Sequence, residues 1–402
     1  MSPTQPPIAI LGAGPAGLTL ARLLRLAHMP YKIFERDPSP THQGLRSNSG
    51  TLDIHANTGQ LALQKAGLLD AFKAKARWNV STTIADKDGK VAISMQGEGE
   101  QDRPEIDRKD LRGMLLDSVE GGTVRWGAKV REARKGVDGL MDVCLVNGEV
   151  ESGFKLVVGA DGAWSKVRSL ITSSKPQYSG VTYLTTSLHP DNPHYAAAAS
   201  LAGRGNYIGM GDRKMIVVMK LGSDAYYIAV GLWMSENFKD ENTALVDDPD
   251  KLRQSILEQH FTDWPKTHTD LIRHSDGHFH VWPLYSLPTD AMDWQSVPGV
   301  TLVGDAAHLA VTNGDGVNVA LFDSYCLAEQ IIKHGQDNLD AAVAEYEKDM
   351  FPRGVESIKG GQQWVEVGFG PDAPASVLQA FGVEPGADPA GAPKAEATST
   401  VA

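Results

Sequence analysis

Cysteine is scarce: the chain has two in 402 residues, Cys144 and Cys326, far apart and in no C-x-x-C. That scarcity excludes a disulfide scaffold and a paired-thiol redox centre. It predicts two free buried thiols and makes a cytoplasmic location the expectation. No apolar run is long enough to cross a bilayer, and Met1 to Pro7 lacks the basic-then-apolar order of a secretory signal. No basic tract offsets the net charge of −12, so nucleic acid and anionic membranes are excluded as expected partners. There is no G-x-S-x-G nucleophile elbow. Neither His55 nor His308 has a second histidine at metal-ligand spacing, so no metal site is expected and both are assigned local hydrogen bonds. No internal repeat is visible.

What is present begins at Ile8. An apolar run, Ile8 to Leu11, meets Gly12-Ala13-Gly14-Pro15-Ala16-Gly17. Leu18, Leu20, Ala21, Leu24 and Ala27 then recur at helical spacing before a second apolar run, Tyr31 to Phe34, ends in Glu35 and Arg36. This reads as strand, glycine turn, helix, strand and acid. In that pattern Gly12 makes the turn, Gly14 lets a pyrophosphate approach the backbone, and Gly17 packs helix on strand. The helix start offers unpaired N–H groups and a positive dipole end to phosphates. Glu35 stands where an acid can hydrogen-bond an adenosine ribose, and Arg36 beside it leans slightly towards FAD. The motif alone leaves NAD and FAD open.

Further on, Thr58 to Phe72 carries an amphipathic helical pattern. Asp86-Lys87-Asp88-Gly89 begins like a calcium loop, but Lys90 takes a ligand position, so it predicts the turn of a hairpin joining Ser81–Ala85 to Lys90–Met95. Asp107 to Val119 reads as a helix capped by Asp107, and Val124 to Val130 and Met141 to Val146 as strands. From Tyr178 to Met234 helical periodicity gives way to β-rich runs at Tyr183–Leu188, Met215–Leu221 and Tyr226–Met234. Helices are expected over Pro249 to His260, Val317 to His334 and Leu339 to Phe351. Two buried strands end in acids: Leu156-Val157-Val158 runs into Asp161-Gly162, and Val300 to Val303 into Gly304-Asp305. Carboxylates at such strand ends can accept bonds from cofactor hydroxyls, although Asp-Gly and Gly-Asp are also ordinary turn chemistry.

Taken in order, Gly12-x-Gly14-x-x-Gly17, Asp161-Gly162 and Gly304-Asp305 resemble the single-component FAD monooxygenases of the aromatic-hydroxylase type. Other stretches are most similar to the tetracycline-inactivating branch: Thr51 to His55, Asp107-Arg108-x-Asp110-Leu111-Arg112, Ser165-Lys166-Val167-Arg168, Gly304 to Leu309, Gly316-Val317-Asn318 and Tyr346-Glu347. The resemblance runs from residue 8 to about 355. It implies an α/β fold: a Rossmann-like FAD-binding domain (1–75, 100–177 and 280–355), a β-sheet substrate domain (76–99 and 178–279) and C-terminal helices (356–383). The remaining 384–402, rich in Ala, Pro and Gly, is expected to be a disordered tail. The resemblance further implies that Glu35, Arg36, Arg108 and Asp305 contact FAD, and that Arg46 and Asp53 lie on the flavin or NADPH side. Asp161 serves FAD and the passing NAD(P)H. The loop Gly316-Val317-Asn318 borders the isoalloxazine.

By the same resemblance, NADPH or NADH reduces FAD, and O₂ adds at flavin C4a. The hydroperoxide then hydroxylates a phenolic, polycyclic or polyketide-like small molecule, with the chain acting as a monomer. The flavin carries the hard step, so no catalytic side chain is assigned. Two stretches depart from the tetracycline branch: Tyr183 to His189, and the loop Val311-Thr312-Asn313-Gly314-Asp315-Gly316, one residue shorter. An Asp315 facing the flavin would oppose negative charge there; an Asp315 turned away would cap the following helix. The first arrangement keeps a flavoprotein with a non-oxygenating, rearranging or cyclising activity as the alternative. A plain NAD-linked dehydrogenase would leave Gly304-Asp305 without a purpose.

Overall fold

The computed structural model describes residues 8–42, 50–97 and 103–383. Its organising layer is a five-stranded parallel sheet. The strand order is Val300–Leu302, Leu156–Gly159, Ile8–Leu11, Tyr31–Phe34 and Val124–Arg125. Ile8–Leu11 lies at the centre and all four residues are buried, as an apolar run covered on both faces must be. Helices Pro15–Leu26 and Gly316–His334 pack together, and the Ser324 hydroxyl donates to the Ala16 carbonyl at 3.0 Å. The α/β, Rossmann-like architecture is therefore as the sequence implies.

Val124 to Val130, expected as one strand, divides at Gly127, whose φ is +68°. Val124–Arg125 joins the parallel sheet. Val130–Lys135 joins a separate antiparallel sheet with Met141–Leu145 and Val150–Phe154. The helical pattern from Thr58 also breaks. A π-turn, Ala56–Gln60, leads into Leu61–Lys65, and Gly67 at φ +68° separates that helix from Leu69–Lys75.

The second layer is a seven-stranded mixed sheet. Its order is Asp276–Ser286, Gln177–Leu188, Tyr226–Trp233, Lys214–Lys220, Asn206–Gly211, Thr82–Asp86 and Val91–Met95. The expected hairpin enters it through parallel pairing of Thr82–Asp86 with Asn206–Gly211. Its turn is closed by the Asp86 carboxylate, which accepts the N–H groups of Asp88 and Lys90. Strand Asp276–Ser286 crosses the expected boundary at 279/280, so that boundary falls inside one strand. Helix Tyr195–Ala202, Tyr-Ala-Ala-Ala-Ala-Ser-Leu-Ala, lies within a segment expected to be β-rich. Alanine favours helix but leaves no polar–apolar period to detect.

Period two sorts the side chains of this sheet. Leu184, Leu188, Ile216, Val218, Ile228 and Val230 pack on one face with Leu252, Ile256 and Leu257 of helix Pro249–His260. Tyr183, Met215, Val217, Met219, Tyr227 and Ala229 lie on the other, together with Val311, Trp364, Val365 and Phe369. Trp364 and Val365 come from, and Phe369 directly follows, a helix that outruns its expected end at Phe351. Leu339–Gly368 is 30 residues long and passes through Pro352. A proline inside a helix costs about 3 kcal/mol. Burial of Ile358 and Val365 beyond it, and the bonds of Arg353 described below, oppose that cost. The expected start of a separate C-terminal segment at 356 thus falls within this helix. The 384–402 tail lies outside the described residues.

Candidate active site

The C-terminal ends of the parallel strands form a crevice where the three sequence motifs meet, the usual ligand position of an open α/β sheet. Its first wall is the glycine turn. A Cβ on Gly12 would lie 2.3 Å from the Ala160 oxygen, and one on Gly17 would lie 2.1 Å from the Gly12 oxygen. The chain's own packing therefore requires both glycines. At Gly14 a Cβ would meet no protein atom within 4 Å. Nothing in the fold needs glycine there, whereas a ligand approaching the backbone would. Pro15 opens the helix at a position where no N–H is needed.

Glu35 is buried at the end of the second strand. It accepts the Ala13 N–H at 2.6 Å and the Asp37 N–H at 3.0 Å. One carboxylate thus ties the glycine turn to the loop after the second strand, while Arg36 is exposed beside it. Arg112, quoted in a motif but given no role from sequence, donates to the Ala13 carbonyl at 2.9 Å and to Asp37 at 3.1 Å. It also lies 4.0 Å from Glu35. A lone arginine on a helix carries no signal of this, because its partners are about 75 and 99 residues away in sequence.

The second wall joins the two acidic strand ends. Asp161 accepts the Lys166 N–H at 2.7 Å through one oxygen, and its other oxygen is buried with no protein partner. Burial raises its pKa against the hydrogen bonds of Ser165 and Lys166. Arg168 is buried and donates to the backbone carbonyls of Ala306, Asp305 and Ala163. It fixes the Asp161 loop against the Gly304-Asp305 turn. Gly304 has φ +61°, and a Cβ there would lie 3.1 Å from Ala320 and 3.3 Å from Ala16, so three elements converge on it. The Asp305 side chain is exposed at this junction. Behind it, His308 bonds Asp323 at 2.6 Å, and Asp323 also accepts two N–H groups of Arg353. His308 therefore has the local bonding role expected of it. Tyr346 and Glu347 are structural as well, bonding the Leu302 carbonyl and the Thr301 hydroxyl of the neighbouring strand.

The third wall is the start of helix Gly316–His334, and here two sequence expectations change. Asp315 occupies the N-cap position, but its side chain makes no capping bond. It lies instead 3.3 Å from His55 Nδ1, while His55 Nε2 lies 2.9 Å from Asp53. The His55 bond holds the Asp315 pKa below the usual carboxylate range. Asn318 is buried, and its amide is spent on backbone: it accepts the His55 N–H at 2.8 Å and donates to the Asp53 carbonyl at 2.9 Å. A cofactor could meet Asn318, like Gly316 and Val317, through the unpaired N–H groups of the first helical turn.

Asp107 is a further correction. It sits at the N-cap of helix Arg108–Asp117, yet its carboxylate accepts from Arg77 at 2.8 Å and from the Gly222 N–H at 3.0 Å instead of capping. Arg108 is exposed, and its charge reaches Tyr227 on the seven-stranded sheet. Arg46 lies outside the described residues. The open Gly14, the unpartnered Asp161 oxygen, the exposed Asp305 and the free helix start together suit a dinucleotide cofactor with a pyrophosphate and several hydroxyls. FAD fits this crevice.

The comparisons agree with that geometry. A family model described as FAD binding domain matches residues 5–357. Monooxygenase penA of Penicillium thymicola is 31% identical over 410 aligned residues, covering 88% of this chain and 93% of the relative. The chain belongs to the FAD binding domain family and is an enzyme, an FAD-dependent monooxygenase. Among solved structures, Klebsiella pneumoniae HpxO with FAD and uric acid shares the fold at a TM-score of 0.76 and 20% identity, covering 93% of this chain and 91% of that one. Tetracycline destructase Tet(51) shares it at 0.68 and 19%, covering 93% and 95%. The tetracycline-inactivating branch therefore does not stand out, contrary to the sequence expectation. The quoted motifs mostly build the crevice, and not the sheet face of Tyr183, Met215 and Tyr227. Among the described residues, no helix is long and apolar enough to cross a membrane.

Proposed function

We propose that this enzyme uses NAD(P)H and O₂ to hydroxylate a phenolic, polycyclic or polyketide-like small molecule. The observation that carries this reading is the sheet face opposite the helix-covered one. Tyr183, Thr185, Met215, Met219 and Tyr227 share it by register, and Trp364 and Phe369 pack against it. Aromatic rings and polarisable thioethers suit a planar, electron-rich guest. Burial pushes the Tyr183 phenol up to about 12, so it stays a neutral hydrogen-bond donor. Bound FAD would accept a hydride and, once reduced, activate O₂ for transfer of one oxygen atom to the substrate.

The chain's own residues do the remaining work. Gly14 and the first turn of helix Pro15–Leu26 would hold the pyrophosphate, Glu35 the adenosine ribose and Asp305 the ribityl hydroxyls. Asp161 would serve the cofactors at the crevice mouth, and Arg108, whose charge reaches Tyr227 on the sheet, would contact FAD. Asp315 bonds His55, so its charge is not left unopposed. That contact favours the oxygenating reading over the non-oxygenating alternative. The test is purification followed by NADPH and NADH oxidation in air with a panel of phenolic and polycyclic compounds under ¹⁸O₂. A yellow protein that places one labelled oxygen in a substrate supports the reading; a protein without FAD, or with turnover but no label, overturns it.

A further inference from the structure

Three side chains from two distant stretches meet beside the loop that the sequence analysis singled out. Both ring nitrogens of His55 face carboxylate oxygens, Nε2 that of Asp53 at 2.9 Å and Nδ1 that of Asp315 at 3.3 Å. An ionised carboxylate only accepts hydrogen bonds, and a neutral imidazole has one N–H to give. Both contacts are therefore satisfied at once only by the doubly protonated ring. The frame around it is fixed: Asn318 holds the backbone on both sides of Ile54, and the Asp315 N–H donates to Asn313 at 3.1 Å. Gly314 turns the chain beside Asp53 at φ +95°, a backbone conformation that side chains rarely adopt.

We propose that His55 is carried as an imidazolium clamped between Asp53 and Asp315, and that it is a positioning residue which keeps the 311–316 loop from presenting uncompensated negative charge to the flavin. The role towards flavin rests on the functional reading above; the clamp itself does not. Among the described residues, the charged groups facing the ring are the two carboxylates and Arg103, which is exposed and 4.0 Å from Asp53. With the ring protonated, the three clamp residues carry one net negative charge, which Arg103 balances; deprotonation doubles it. Burial works against the charged ring, but Asp315 and Asp53 outweigh it and hold the His55 pKa above 6.5. The sign follows. The clamp's contribution is complete below 6.5 and is lost as pH rises through the raised value.

The experiment is a histidine NMR titration of full-length protein, FAD-free and FAD-loaded, for wild type, Asp315→Asn and His55→Gln, with flavin reduction potential measured against pH on the loaded forms. In wild type, His55 should titrate above 6.5, and Asp315→Asn should bring it down towards that value. The plot of potential against pH should break at the His55 pKa in wild type and run without that break in His55→Gln. A wild-type His55 that titrates at or below 6.5, or one indifferent to Asp315→Asn, overturns the clamp. A confirmed clamp with no break in the potential overturns the role towards flavin. Failure to bind FAD overturns that role together with the functional reading, while the FAD-free titration still decides the clamp.

Discussion

Three glycines in one turn have different reasons to be there. Gly17→Ala would push a methyl to 2.1 Å from the Gly12 oxygen, and Gly12→Ala would do the same against Ala160 at a strained φ of +112°. Each should destabilise the fold by about 1–3 kcal/mol or more, read as a lowered denaturation midpoint. Gly14→Ala adds a methyl to open space, so its midpoint should stay near wild type while FAD affinity falls. Equal loss of stability in all three would refute the division. Asp305→Ala should likewise fold, because its side chain is exposed. The lost charge-assisted bond should weaken FAD retention by about 1.5–3 kcal/mol, roughly ten- to a hundredfold. Fluorescence of released FAD on dilution measures this, and unchanged retention would remove Asp305 from the cofactor site. The places of these residues in the fold were legible in sequence because the turn and strand-end signals are local. Arg112 and the partner of Asp315 were not, since both depend on contacts between segments far apart in the chain.

At the scale of elements, the buried triad of His308, Asp323 and Arg353 ties the Gly304–His308 turn to two long helices. Asp323 is fully buried and Arg353 is partly so. Asp323→Ala would leave the buried His308 ring and the partly buried Arg353, which keeps only Asp349, without their shared acceptor, at a cost of about 2–4 kcal/mol. Chemical denaturation should show that loss, with FAD retention falling too, because the turn carrying Asp305 loses its backing. A destabilisation under 1 kcal/mol would mean that the triad contributes little. Element bounds follow the same rule of locality. Pro249–His260 matches its expected bounds because the signals lie within it and beside it: proline at the first helical position and Asp248 accepting the Lys251 N–H at 3.1 Å. Leu339–Gly368 overran its expected bound because Pro352 reads as a stop, while the packing that carries the helix onward comes from Met292, His308 and Val311, against which Gly354 and Gly361 lie.

For the whole molecule, the prediction concerns what enters between the two layers. Tetracycline should be turned over weakly or not at all. The face formed by Tyr183, Met215, Met219 and Tyr227 offers it rings and thioethers, with Thr185 and Ser187 the polar side chains of strand Gln177–Leu188 that share this face. Robust NADPH- and O₂-dependent loss of tetracycline absorbance would overturn this account of the pocket. The sequence by itself determined the α/β class, the dinucleotide crevice and most of the residues placed around it. Strand, turn and helix signals act within a few residues, and the order of the three motifs along the chain is enough to align them. The tertiary structure alone decided which face each strand of the seven-stranded sheet turns to the C-terminal helix, and that this helix continues through Pro352 to pack there. It also decided that Asp315 meets His55 instead of capping its helix. Those outcomes depend on register and on side chains brought together from opposite ends of the chain, and such contacts leave no periodic trace in a single sequence.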